Sequence, residues 1–229
     1  MRINPTMQSI IRFLGAAALC LSLSAPAFAD DAVDRIFDTE NLNNVKSGTT
    51  LAFTHIRETH DPDVLPALER DIDVAVGDRM EGKESRAVIV SFRQGEREVA
   101  LSPFSDDGGN PMLVFFLESV AKAVAKSTGG SPFYIKNRII DAFQRGATIS
   151  QVDIVRDGAP LKANRIAYSP FAEEKLKDRL QNFADMEIAF ILSEEVPGGI
   201  IEMRALDDPK AKGGFRESIV LDGIAEKGE

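Results

Sequence analysis

Cysteine is almost missing from this sequence. The one cysteine, Cys20, sits in an N-terminal apolar run, and the chain beyond it has no thiol for a disulfide, a cysteine-ligated zinc or a nucleophile. The CxxCH spacing that attaches a c-type haem is absent as well. Basic charge is in short supply: 27 Lys and Arg stand against 36 Asp and Glu, a formal net charge of −9. Such a chain is repelled by phosphate backbones and by anionic membrane surfaces, so nucleic acid is excluded as an expected partner. No apolar run past Leu23 approaches the roughly 20 residues a membrane-spanning helix needs, so no integral membrane segment is expected in the mature chain.

What is present at the N-terminus has the order of an export signal. Arg2 and Arg12 precede the apolar run Phe13 to Leu23, and the small-residue site Ala27-Phe28-Ala29 follows just before Asp30. The expected cleavage is after Ala29, leaving residues 30–229 as a single domain and making the chain more acidic by the two arginines lost. In a bacterium with two membranes the destination is the periplasm. Leu19 places a bulky side chain where a lipidated cysteine wants a small neighbour, which disfavours acylation of Cys20.

The mature region opens with Val33, Ile36 and Phe37 at helical spacing, which predicts one short helix. Alternation then takes over. Residues 48–58, 71–78, 87–92 and 97–101 read as four strands, the last two forming a hairpin around Gln94-Gly95. Strand grammar returns after residue 146, with a turn at Asp157-Gly158-Ala159-Pro160, strands through residues 187–195 and 199–206 joined by Val196-Pro197-Gly198-Gly199, and a last strand over 215–221. Leu176, Leu180 and Phe183 predict a helix over 173–185. Alternating faces and hairpin turns imply antiparallel pairing, with the helices grouped centrally, so the expected class is α+β.

Two glycine pairs bracket residues 110–128. Asn110-Pro111 is a cap followed by a first-turn proline, Gly129 suits a left-handed helix end, and Ser131-Pro132 repeats the start. This predicts a helical hairpin over about 111–145. A phosphate loop would need a lysine and hydroxyl after the last glycine, and Asp106 and Asp107 would repel its anion. The first helix is apolar on most of its circumference, from Met112 through Leu117, with Glu118, Lys122 and Lys126 forming a narrow polar stripe. Such a helix is either wedged in the core or lines a cavity or partner surface.

The expected architecture is a curved antiparallel sheet, possibly a half-barrel, with the hairpin on one face. It resembles periplasmic lipoprotein carriers of the half-barrel type at the level of fold, without a shared motif, and fold alone transfers no function. The reading that follows from the residues is a carrier of an apolar or amphiphilic small molecule, with candidate ligand contacts at Phe53, His55, Met112, Phe115, Phe116, Tyr134 and Arg138. His55 stands in phase with Leu51, Phe53 and Arg57 on its strand. The rival is an interaction module that docks a protein partner or a second copy. An enzyme ranks third, because no nucleophile, metal set or GxSxG motif is in view. His60, Asp61 and Asp63 lack a known metal spacing, and no cofactor is expected.

Overall fold

The strands follow from period-two burial. In the computed structural model, which describes residues 29–37, 42–156, 158–175, 177–206, 210 and 214–226, Leu51, Phe53 and His55 are buried, as are Ile72, Val74 and Val76 on the next strand. The export signal read over residues 1–29 lies outside the described residues except for Ala29.

In chain order the elements are α1 (Ala29–Phe37), β1 (Thr49–Thr59), β2 (Leu68–Arg79), β3 (Arg86–Gln94), β4 (Arg97–Ala100) and the short β5 (Phe104–Ser105). The hairpin α2 (Pro111–Thr128) and α3 (Pro132–Arg145) follows, then β6 (Thr148–Arg156), β7 (Ala159–Tyr168), α4 (Lys177–Leu180), β8 (Glu187–Leu192), β9 (Ile200–Leu206) and β10 (Phe215–Glu226). The strands form one antiparallel sheet in the order β4-β3-β2-β1-β10-β9-β8-β7-β6, with β5 also paired to β3. The sheet is curved and does not close, and the helices pack on it, an α+β architecture. A bulge between Ala52 and Phe53 resets the β1–β10 register, after which His55 faces Ile219 and Arg57 faces Glu217.

The hairpin is built as its capping residues dictate. Asn110 accepts from the Met112 N–H at 3.0 Å, Pro111 occupies the first turn, and Gly129 takes the left-handed conformation at φ 69. Ser131 holds the corresponding position before α3 without a side-chain cap bond, and its carbonyl instead accepts from Ile135 N–H at 3.1 Å. Met112, Phe116, Val120 and Val124 form the buried ridge of α2, while Val114 extends the outer stripe of Glu118, Lys122 and Lys126 and is 60% exposed. The bulk of the helix is core. Each fully buried phenylalanine here contributes on the order of 1.5–3 kcal/mol, and Phe116 meets Phe190 of β8 edge to face at 6.0 Å.

Four local expectations are corrected. The helix foreseen over 173–185 shrinks to α4 and a 3-10 turn at Gln181–Asp185, because Leu180 and Phe183 are three apart and meet the core from a tighter helix. Ala159 and Pro160 belong to β7, since Arg156 pairs directly with Ala159 and leaves a shorter turn around Gly158 at φ 79. The β3–β4 turn is Gly95-Glu96, with Gln94 paired to Arg97. A fifth strand, β5, joins the four expected before the hairpin. The Pro197-Gly198 turn is as the residues require: Gly199 N–H donates to Val196 C=O at 2.9 Å, and Gly198 sits at φ 79.

Candidate functional site

The residues singled out in the sequence fall into two places. Phe53, His55, Met112 and Phe116 are buried between the sheet and α2, and Phe115 packs beside them, half-buried, edge to face on Phe92 at 5.2 Å and Phe104 at 6.2 Å. Tyr134 and Arg138 lie on α3, away from that group, against the segment that leads into α4. The fold does not gather all seven into one pocket.

Around Tyr134 two cavities adjoin. The larger, about 610 Å³, lies between the hairpin turn and α4 and is lined by Thr128, Gly129, Gly130, Ser131, Tyr134, Ile135, Glu174, Asp178, Arg179 and Leu180. The smaller, about 320 Å³, is lined by Arg138, Asp141, Gln144, Arg145, Pro170, Glu173 and Glu174. Glu174 belongs to both and accepts a hydrogen bond from the Tyr134 hydroxyl. That bond, with burial and the nearby carboxylate charge, raises the Tyr134 phenol above its ordinary value. Arg138 pairs with Asp141 at 2.6 Å and approaches Glu174 at 4.0 Å, while its Nε is buried without an acceptor. The larger void has an aliphatic floor, Ile135 and Leu180, and falls within the usual range for small-molecule pockets, about 300–1,000 Å³. A third cavity, about 510 Å³, is lined by polar and charged side chains, Arg86 and Asp106 among them.

On the inner face of the sheet a charged network replaces apolar packing. Glu217 of β10 is fully buried; its Oε1 is 2.9 Å from His55 Nε2 and its Oε2 accepts from Arg57 Nε at 2.8 Å. Arg57 also reaches Ser119 of α2 at 2.7 Å, tying hairpin to sheet. Arg70, directly opposite His55 on β2, donates from Nε to His55 Nδ1 at 3.1 Å, and its guanidinium lies 4.5 Å over the Phe92 ring. An arginine has no acceptor to offer, so Nδ1 is the lone-pair nitrogen and Nε2 carries the hydrogen donated to Glu217. Burial outweighs the pull of Glu217 and keeps the imidazole below its ordinary value, hence neutral. Burial works to raise the Glu217 carboxyl, but the bonds from His55 and Arg57 together with the Arg57 charge hold it lower than usual, hence ionised. With both ring nitrogens committed, His55 has no free lone pair with which to act as a general base.

Glu217, Arg57, Arg70 and Ser119 were not singled out as site residues. The signal was in the pattern: Arg57 follows Phe53 and His55 on the buried phase of β1, Arg70 precedes Ile72 on that of β2, and Glu217 stands between Phe215 and Ile219 on that of β10. In the β1–β2 connection Asp61 Oδ1 accepts from Val64 N–H at 3.3 Å, and the His60 backbone N–H donates to the Gly214 carbonyl at 3.1 Å. Among the described residues no group of three or more His, Cys, Asp or Glu side chains is placed to hold a metal, and no helix is long and apolar enough to cross a membrane.

No protein-family model matches the chain, and no curated protein does. Among solved structures it is similar to LprF from Mycobacterium bovis, at 11% identity and a TM-score of 0.34 over 87% of this chain and 94% of that one. Lipoprotein LppX from Mycobacterium tuberculosis is similar at 8% identity and a TM-score of 0.34, covering 87% and 98%. A lipoprotein-sorting protein domain from Vibrio parahaemolyticus gives 7% identity and 0.25, covering 87% and 93%. Likeness at this level does not bear on function, which rests on the chain's own geometry.

Proposed function

We propose that the protein is an exported, periplasmic carrier that holds an apolar or amphiphilic small molecule between the hairpin turn and α4. One observation carries this reading: the cavity of about 610 Å³ with an aliphatic floor opens beside a polar one of about 320 Å³ through the shared Glu174. An apolar body fits against Ile135 and Leu180, and a polar end extends toward the Arg138 and Arg145 side chains that line the smaller cavity. Carboxylates Asp141, Glu173, Glu174 and Asp178 stand against Arg138, Arg145 and Arg179 in the two lobes, which favours an uncharged or zwitterionic end group at this site. The periplasmic location rests on the signal read over residues 1–29.

The test is native mass spectrometry of the exported chain, purified gently from its own compartment, against its denatured mass. A monomer carrying an extra mass that is lost on denaturation, and lost again in Ile135→Glu, supports the carrier. A bare monomer in both rejects a tightly held ligand.

A second reading has its own observation. The edge strand β6 has no buried residue, and Val155 on it is 77% exposed. An unpaired edge of this kind is a template for β-strand addition by a protein partner or a second copy. In the same spectra this reading requires a dimer or a bound protein.

A further inference from the structure

The buried network on the inner face has a charge that its own members leave unbalanced. Arg57 and Arg70 bring two positive charges, Glu217 brings one negative charge, and His55 is neutral in the tautomer its neighbours impose. The Glu217 oxygens bond to His55 and Arg57, and no Arg70 nitrogen makes a hydrogen bond to either. Arg70 spends only its Nε within the protein. Its terminal nitrogens have no acceptor among the described residues, although the side chain is half-buried and its charge is partly desolvated. The guanidinium lies 4.5 Å over the Phe92 ring and is bonded through Nε to His55, so the unspent edge is positioned without an internal partner. A partly desolvated guanidinium with a fixed free fork is matched by a planar oxyanion bound through two parallel hydrogen bonds.

The ring on which Arg70 lies belongs to an aromatic patch. Phe92 and Phe115 are half-buried and Phe104 is 37% exposed, and the three rings form a contiguous aromatic patch leading from Arg70 toward solvent. We propose that Arg70, with Arg57 behind it, binds the carboxylate of an apolar organic acid whose hydrocarbon lies on Phe92, Phe115 and Phe104. This site is separate from the cavity at the hairpin turn: Phe115 and Ser119 belong to the first half of α2, whereas Thr128 closes its far end. The inference goes beyond the carrier reading and stands or falls independently of it.

The probes are dodecanoate, dodecanol and acetate, titrated by calorimetry into the exported full-length mature chain at neutral pH. Dodecanoate is expected to bind at least tenfold more tightly than dodecanol, and acetate at least a hundredfold more weakly than dodecanoate. Arg70→Gln is expected to erase the gap between dodecanoate and dodecanol while leaving dodecanol unchanged, whereas Ile135→Glu, which fills the hairpin cavity, is expected to leave the preference for dodecanoate in place. Equal affinities in the wild-type chain, or no binding of either, overturn the proposal without any variant having to fold. Acetate binding as tightly as dodecanoate overturns the hydrocarbon part and marks a free-anion site. A dodecanoate preference that survives Arg70→Gln but disappears in Ile135→Glu assigns the acid to the hairpin cavity, in which case the carrier reading stands and this inference does not.

Discussion

Arg86 and Arg70 stand at opposite ends of the paired strands β3 and β2 and both bury part of a guanidinium, yet they are used in opposite ways. Arg86 has a partner at every nitrogen: Nε donates to Asp106 at 2.6 Å, Nη2 to the Leu42 carbonyl at 2.6 Å and Nη1 to the Val45 carbonyl, while its own backbone N–H reaches Asp106 at 2.8 Å. It clamps the segment before β1 to the start of β3 and the 3-10 turn before α2. Arg70 spends one donor on His55 and lies on a ring. An internally saturated arginine is part of the scaffold. One that lies on a ring with its terminal donors unspent is open to an acceptor from outside the chain.

The comparison breaks first at Arg86. Arg86→Met strands a buried carboxylate and two backbone carbonyls, and should cost about 3–5 kcal/mol, read as a fall in the urea midpoint at unchanged slope. Glu217→Gln keeps the shape of the inner network but gives up its charge, leaving Arg57 and Arg70 without a counter-ion; the expected loss is about 2–3 kcal/mol in the same measurement. Gly198→Ala serves as a control away from both arginines. Its left-handed φ of 79 and a new Cβ only 2.7 Å from Leu51 Cδ1 should cost about 1–3 kcal/mol, seen as a lowered melting temperature. Arg70→Met is the smallest in stability, about 1 kcal/mol, because it strands only the His55 Nδ1 acceptor and gives up one ring contact. If Arg70→Met proves as damaging as Arg86→Met, Arg70 is scaffold too.

Acid separates the clusters further. Asp106, which burial would raise, is held below its ordinary value by the bonds from Arg86, so its contribution is present above the unfolded carboxyl value and lost only as pH falls through the lower folded one. His55 is also lower in the folded protein, but its unfolded value is about 6.5. Below that pH the unfolded chain takes up a proton that folded His55 declines, so stability falls as pH drops. Between about pH 6.5 and 5 the loss therefore belongs to the Arg70 cluster. Urea midpoints across that range should decline in the wild type and flatten in His55→Gln.

Much of the scaffold was legible because its signals are local. Asn110, Pro111 and Gly129 each do at the ends of α2 what their side chains or lack of one permit, and period-two alternation located the principal strands. The helix over 173–185 was over-read because Leu176, Leu180 and Phe183 suit an α-helix in isolation, while the Glu174 that precedes α4 is engaged by Tyr134. The charged network was harder to read. Glu217 and His55 are far apart in sequence, and only the β1–β10 register, offset by the bulge at Ala52, sets them within reach. Each looked like one polar residue in an apolar phase until pairing joined them.

That same pairing governs the order in which the molecule can be made. β1 comes early in the described chain and β10 comes last, yet they are neighbours in the middle of the sheet. A chain threaded outward from its N-terminus would present β1 to the new compartment long before its partner arrived, with Leu51, Phe53 and the unpaired His55 uncovered in the meantime. Joining strands so distant in sequence also incurs a large loop-closure entropy, which slows folding. The central seam is therefore the last to be sewn, and the inner face of β1 waits for the final strand of the chain.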